Sequence, residues 1–384
     1  MKKGGGVSLK IFQFKDVLPQ IPNLVFLRKL KFRFELLPYE VRDIRYKKIV
    51  NFFAAGLNQF FLPASPLGRP VIAQVEPANF CNLSCPLCLT TSETGSRPKA
   101  LLPFNTFKKF IDEAGDYLLL IVLWNWGEPF LNPDIFRMIA YAKSRNIVVH
   151  SSTNGNLKFS EEKAEKLIGS GLDSLVVAVD GATQETYSRY RRGGDLEQVI
   201  SNIRTIVRTK RKMNSPTPRL NLRFVVMKHN ENELPLVRKL AEELNVDFFT
   251  LKTVDMPPAL GEKLDSIYQP GDQKYRRYEY VTGTYKRKEK PFLCMRPWKR
   301  ITLDALGEII MCEYEHKDIL SFGNLNDGKS AISVWKGDRA GDVRRKFNLG
   351  YNDFYLCKNC TYKNRVDNDC SIEMTRLREE RSLQ

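Results

Sequence analysis

The chain has 384 residues, 42% hydrophobic and 27% charged, a balance that excludes a disordered or fibrous polypeptide and leaves room for two domains. Its formal charge of +17 favours anionic partners such as an acidic protein, a membrane surface or nucleic acid. Eight cysteines, with no apolar export segment after Lys2 and Lys3, point to reduced thiols acting as metal ligands in a cytoplasmic protein rather than to disulfides.

The charge is unevenly placed, since residues 1–50 hold 12 Lys or Arg against 4 Asp or Glu. Residues 49–68 carry none, and Asn51, Asn58, Gln59, Pro63 and Pro66 argue against a spanning helix. Ile49, Phe52, Phe53, Leu57, Phe60 and Phe61 fall near one face at helical spacing. Residues 1–69 therefore read as a basic, amphipathic, helical extension. It either packs on the main domain or lies on the inner face of an anionic membrane. Nothing in it reads as a nucleic-acid motif, so no nucleic-acid partner is expected.

From residue 70 the pattern alternates between short apolar runs and amphipathic stretches. Strands are expected at 71–76, 118–124, 147–152, 174–180, 220–227 and 247–252. Helices are expected at 105–116, 133–145, 160–170, 196–210 and 231–244. Such alternation implies a parallel sheet with right-handed crossovers, whose ligands gather at the carboxyl ends of the strands.

Polar motifs stand at those ends. The first is Cys81-Asn82-Leu83-Ser84-Cys85-Pro86-Leu87-Cys88, three thiols in eight residues with no fourth Cys or His close by. Thiolates select zinc, copper or iron–sulfur clusters, and a structural zinc site wants four protein ligands. Three suit a 4Fe–4S cube with one iron left open, while a zinc knuckle with a distant fourth ligand is the competing reading. Trp126-Gly127-Glu128-Pro129 follows the second strand, Ser152-Thr153-Asn154-Gly155 the third, and Asp180-Gly181-Ala182-Thr183 the fourth, with Tyr190-Arg191 further on. Met227-Lys228-His229-Asn230 follows the fifth.

The set resembles the radical S-adenosylmethionine (SAM) superfamily. The resemblance implies a partial (β/α)6 barrel at 70–255 and a 4Fe–4S cluster on Cys81, Cys85 and Cys88 whose open iron holds SAM. Reductive cleavage would then give a 5′-deoxyadenosyl radical that abstracts substrate hydrogen. By the same resemblance Glu128 holds the SAM amino group and Asn154 lines the site. Arg191 pairs with the SAM carboxylate as a guanidinium fork would, Asp180 matches a cofactor-site Asp of the family, and Asn230 lies near the adenosyl group. Leu87 stands where relatives often carry an aromatic, and Ala178 where they often carry a ribose-binding Ser. His229 reads as structural or exposed.

Cys294, Cys312, Cys357, Cys360 and Cys370 follow the barrel, with a hairpin expected at Gly307 and a helix at 331–347. This resembles the SPASM or twitch domain, here at 256–384. It implies one auxiliary 4Fe–4S cluster on Cys294, Cys312, Cys357 and Cys360, with Cys370 spare or interchangeable. A structural zinc on four cysteines is the alternative. An auxiliary cluster with all irons thiolate-bound moves electrons rather than binding substrate. Lys252 and Asp255, at the end of the sixth strand, are candidate proton acceptors by analogy. The expected activity is a redox modification, oxidation or epimerisation, of a small-molecule, sugar or lipid-linked substrate, with a flavodoxin or ferredoxin supplying electrons. Maturation of a ribosomal peptide or protein is the alternative within the superfamily. Outside it stands a non-catalytic, zinc-stabilised membrane- or nucleic-acid-binding protein.

Overall fold

In the computed structural model, residues 18–91, 97–257, 263–284, 286–289, 294–315, 320–358, 360–364 and 371–378 are described. Strands β1 (Leu30–Phe34) and β2 (Leu37–Val41) form a hairpin ahead of the helix Tyr46–Phe61. The six expected barrel strands are β3 (Ile72–Val75), β4 (Leu120–Val122), β5 (Val148–Thr153), β6 (Ser174–Ala178), β7 (Arg219–Val226) and β8 (Phe248–Thr253). They are followed by β9 (Arg300–Leu303), β10 (Glu308–Ile310), β11 (Ser321–Asn324) and β12 (Ser371–Arg376).

These elements pack as two units, each discontinuous in sequence. One comprises Met1–Asn79, Gly95–Val149 and Pro291–Cys360; the other comprises Phe80–Thr94, His150–Lys290 and Thr361–Gln384. In the first, strand order is β11-β10-β9-β3-β4. β3 is buried at every position and runs parallel to both neighbours, pairing Ile72 with Leu120 and with Arg300. The helix Phe104–Ala114 buries Phe104, Phe107, Phe110, Ile111 and Ala114, the apolar stripe its sequence spacing dictates. The expected hairpin is β9–β10, with Gly307 at φ +88° in its turn, a conformation glycine adopts without a Cβ penalty. The expected helix at 331–347 is two, Ala331–Lys336 and Asp338–Gly350, interrupted at Gly337.

In the second unit the order is β5-β6-β7-β8-β12. β5 to β8 are parallel, and β6 is buried along its whole length, as a strand covered on both faces must be. β12 adds antiparallel to β8, and Arg238 reaches Thr375 and Glu373 on it at 2.9 and 2.6 Å. Neither set of strands closes on itself. The fold is α/β with mostly parallel strands.

The amino-terminal extension departs from the all-helical expectation. β1 alternates buried Leu30, Phe32 and Phe34 with exposed Lys31 and Arg33, a period of two that belongs to a strand. Its turn uses Glu35 and Leu36 at φ 48° and 68°, where Asn-Gly would be the usual signal. The helix Tyr46–Phe61 is present, but its apolar residues divide. Ile49 and Phe52 are buried, while Phe53, Leu57, Phe60 and Phe61 are exposed.

Candidate metal centres

The three-cysteine loop belongs to the second unit. Cys85 is buried, and Cys81 and Cys88 are partly so. The loop is pinned by its surroundings rather than by regular structure. Ser84 N–H donates to the Arg192 carbonyl at 3.0 Å, and the Thr91 hydroxyl donates to the carbonyl of Cys85 at 3.0 Å. Asn154 Nδ2 donates to Asn82 Oδ1 at 2.8 Å and lies 3.4 Å from Cys81 Sγ. The turn that carries Asn154 requires Gly155, which sits at φ +73° where a Cβ would meet Val199 Cγ1 at 2.9 Å. Leu87 is packed into an apolar cluster with Met227, Val254, Met256, Tyr268 and Tyr278.

Arg191 joins this loop to the end of β6. Its Nε donates to Asp180 Oδ2 at 2.6 Å, and its Nη1 lies 3.8 Å from Cys85 Sγ. Burial opposes the guanidinium charge, but Asp180 and Cys85 outweigh it and hold the arginine firmly protonated. Burial raises the Cys85 thiol pKa against the pull of Arg191. Asp180 is fully buried, and its other oxygen accepts from Val225 N–H at 2.7 Å. Gly181 follows because a Cβ there would collide with the Tyr187 backbone. Asn230, also fully buried, accepts from Met227 N–H at 2.7 Å and donates to the carbonyls of Asp180 and Val225, both at 3.0 Å. Its amide thus fastens the ends of β6 and β7. His229 packs edge-on against Tyr268, and burial lowers its pKa.

Glu128 lies in the first unit, 2% exposed, where its carboxylate caps the turn Pro129–Leu131 by accepting from Phe130 N–H at 3.2 Å. Lys252 is half-buried on β8. Asp255 accepts from Tyr278 Oη at 2.7 Å and pairs with Arg277 at 2.8 Å, partners that its sequence neighbourhood does not announce.

The second centre lies wholly within the first unit. Cys294, Cys312, Cys357 and Cys360 line one cavity together with Arg296, Pro297, Met311, Tyr314, Phe347 and Leu356. Cys370 is outside the described residues. Around the cavity sits a buried ionic group that no sequence motif marks. Glu313 is held by Arg296 at 2.7 Å and by Arg300 at 3.1 Å, and its Oε2 lies 3.4 Å from Cys312 Sγ. Burial works against the Glu313 charge, but the two guanidiniums prevail and bring its pKa down to about 2. Burial, and then Glu313, push the Cys312 thiol well up. The nearby Lys299 is lowered by burial to about 8. Trp126 of the Trp-Gly-Glu-Pro turn donates its indole N–H to the Glu313 carbonyl at 2.8 Å, and its ring meets Tyr314 edge-on. The available signal was proximity in sequence: Arg296 follows Cys294 by two residues and Glu313 adjoins Cys312.

Residues 75–240 match the Radical SAM superfamily model, and residues 294–361 match that of the SPASM iron-sulfur cluster-binding domain. The chain is a radical SAM protein with a SPASM domain. An AdoMet-dependent heme synthase from Methanosarcina barkeri is 31% identical over 193 residues, covering 50% of this chain and 52% of that one. This radical SAM chain therefore spans about half the length of that relative. Mycofactocin maturase MftC from Mycobacterium tuberculosis is 22% identical over 70% of this chain and 71% of its own length. The structure of Streptococcus suis SuiB bound to precursor peptide SuiA covers 86% of this chain and 79% of that one, with a TM-score of 0.55 at 15% identity. That likeness speaks to the fold alone.

The donor sets fit the groups that such domains bind. Among the described residues no three His, Cys, Asp or Glu side chains converge as a single metal ion requires. A 4Fe–4S cube takes one thiolate per iron and needs no such convergence. Four thiolates around one cavity would carry excess negative charge, and the buried Arg296, Lys299 and Arg300 against Glu313 supply compensating positive charge.

Proposed function

We propose that this radical SAM protein catalyses a redox modification, oxidation or epimerisation, of a small-molecule, sugar or lipid-linked substrate, with its auxiliary centre serving electron transfer. Two cysteine sets of different kinds carry this reading: three in an anchored loop beside Arg191, and four lining one cavity. When bound, the first cluster with SAM supplies one-electron cleavage and hydrogen abstraction, and the second supplies a one-electron acceptor.

The chain's own residues position these groups. Cys81, Cys85 and Cys88 would hold the first cluster and Arg191 would receive the SAM carboxylate; Glu128 is assigned the SAM ammonium on the family resemblance of its Gly-Glu-Pro turn. Asp180 orients Arg191 from behind, Asn154 steadies the cysteine loop at Cys81, and Asn230 holds the strand ends in place. Lys252 or Asp255 takes the proton that an alcohol or thiol oxidation releases. Segment 70–255 thus serves radical formation, 256–384 electron transfer, and 1–69 peripheral contact with the inner face of the membrane. An acidic flavodoxin or ferredoxin is the electron donor, steered by the basic surface. The setting is cytoplasmic, and no described helix is long and apolar enough to cross a membrane.

A peptide or protein substrate is the second reading, favoured by the maturase among the similar proteins. Anaerobic purification tests the common core. The expected product is a brown protein with about eight irons. With dithionite and SAM it should release 5′-deoxyadenosine, and Cys85→Ala should not. A colourless zinc protein would refute the enzyme reading. Mass spectrometry of lipid extracts and of peptide extracts incubated with the enzyme separates the two substrate classes.

A further inference from the structure

The helix Tyr46–Phe61 is apolar on both sides. Its inner face buries Ile49, Phe52 and Ala55, together with Lys48, which donates to the Arg145 carbonyl, and Asn51 and Asn58, whose Oδ1 atoms accept from the N–H groups of Arg69 and Leu67. Its outer face presents Tyr46, Val50, Phe53, Leu57, Phe60 and Phe61, at intervals of four, three, four, three and one. Those intervals draw one straight stripe along an α-helix. Phe60 and Phe61 are 66% and 69% exposed and Val50 67%, so the stripe meets solvent over the full length of the helix, roughly 24 Å at 1.5 Å per residue. Phe26 and Leu27, 81% and 65% exposed, extend it, because Ile44 N–H donates to the Arg28 carbonyl and brings that corner to the start of the helix.

A soluble surface helix normally carries charge on its outer face, and contiguous apolar patches of this extent mark a binding surface. The surrounding charge decides for what. The helix contains no acidic residue, and residues 18–50 hold eight Lys or Arg against three Asp or Glu. Lys31 and Arg33 point outward from β1, and Arg42 and Arg45 are 73% and 71% exposed; Lys31 and Arg42 share the single carboxylate of Glu40 and Arg45 pairs loosely with Asp116 at 3.7 Å, which leaves the cluster net positive. A second copy of this chain would bring the same basic surface against itself, which like-charge repulsion opposes. A planar anionic bilayer satisfies both features: acyl chains take the stripe and headgroups the flanking cations.

We propose that Tyr46, Val50, Phe53, Leu57, Phe60 and Phe61, extended by Phe26 and Leu27, form an in-plane docking surface for anionic membrane, which brings the enzyme to a bilayer-borne substrate. This deepens, and rests on, the assignment of residues 1–69 to membrane contact.

The test uses the full, cluster-loaded chain in anaerobic co-flotation with vesicles of phosphatidylglycerol and phosphatidylcholine in equal parts, and of phosphatidylcholine alone. Wild type is expected to float with the anionic vesicles, less so as salt rises, and weakly with the neutral ones. The variant V50S/L57S/F60S/F61S is expected to lose about tenfold or more in partitioning, with unchanged circular dichroism and unchanged 5′-deoxyadenosine release in the absence of lipid. If the variant floats like wild type, this face is not the docking surface, although residues 1–69 still contact membrane. Failure of wild type to float overturns both. If sedimentation velocity instead shows a lipid-free dimer that the variant disperses, the face is a self-association surface and the proposal falls. Loss of 5′-deoxyadenosine release in wild type speaks only against the radical chemistry.

Discussion

Replacing Arg296 by Gln removes one positive charge from the wall of the four-cysteine cavity while keeping most of the side-chain volume. Arg296 is nearly buried and pairs with Glu313, which lies 3.4 Å from Cys312 Sγ. For a cluster bound in this cavity, a unit charge roughly 5 Å away in an effective dielectric of about 20 would be worth about 3 kcal/mol to the added electron. For a one-electron couple that is roughly 140 mV, since tenfold corresponds to about 59 mV. The auxiliary midpoint should therefore fall by about 50 to 150 mV once water and relaxation screen part of the effect. Glu313→Gln should move it the opposite way, and Arg296→Lys should recover much of the loss. The assay is an anaerobic redox titration followed by electron paramagnetic resonance, on protein whose iron content matches wild type. Urea unfolding belongs beside it, because breaking a buried pair costs about 3–5 kcal/mol and would confuse a collapsed cavity with a tuned one. An unmoved midpoint in fully loaded Arg296→Gln protein, or shifts of the same sign in both variants, would refute the electrostatic reasoning.

Two further outcomes follow from buried charges. Lys48 is 2% exposed, donates to the carbonyls of Arg145 and Asn146 at 2.9 Å each, and has its pKa lowered by burial to about 7. Between that value and the ordinary one near 10.5 the unfolded chain binds more proton, so stability should rise with pH across this window, by up to about 1.4 kcal/mol per unit. Urea midpoints from pH 7 to 10 should show this slope in wild type and not in Lys48→Met, and equal slopes would count against it. Asp180→Asn leaves the Arg191 guanidinium inside without its carboxylate, and should lower the unfolding free energy by about 3 kcal/mol or more. Chemical denaturation at neutral pH measures it, and a loss under about 1 kcal/mol would mean that Arg191 finds other compensation.

Periodicity placed the six strands within a residue or two of their observed ends, and short-range spacing singled out the Cys81, Cys85 and Cys88 triplet, because it is written in contiguous sequence. The hairpin at 30–41 escaped notice because its turn is made by Glu35 and Leu36, which carry no turn signature. Roles at the site were legible unevenly. Arg191 does meet the cysteine loop, whereas the Asn230 amide is occupied by backbone, and Asp255 by Arg277 and Tyr278.

By itself the sequence determined the α/β alternation, the Cys81, Cys85 and Cys88 triplet and the basic, apolar character of the first 69 residues, since these depend on the chemistry of near neighbours in the chain. Tertiary structure decided what lies beside what. It set β9 parallel to β3 and β12 on β8, gathered Cys294, Cys312, Cys357 and Cys360 around one cavity, and placed Glu313 between Arg296 and Arg300. It also chose which face of the helix Tyr46–Phe61 is covered, leaving Phe60 and Phe61 outside while Phe52 went in. The reason is that burial selects partners across hundreds of residues by shape and desolvation, and no local pattern in the chain names the surface that will cover it.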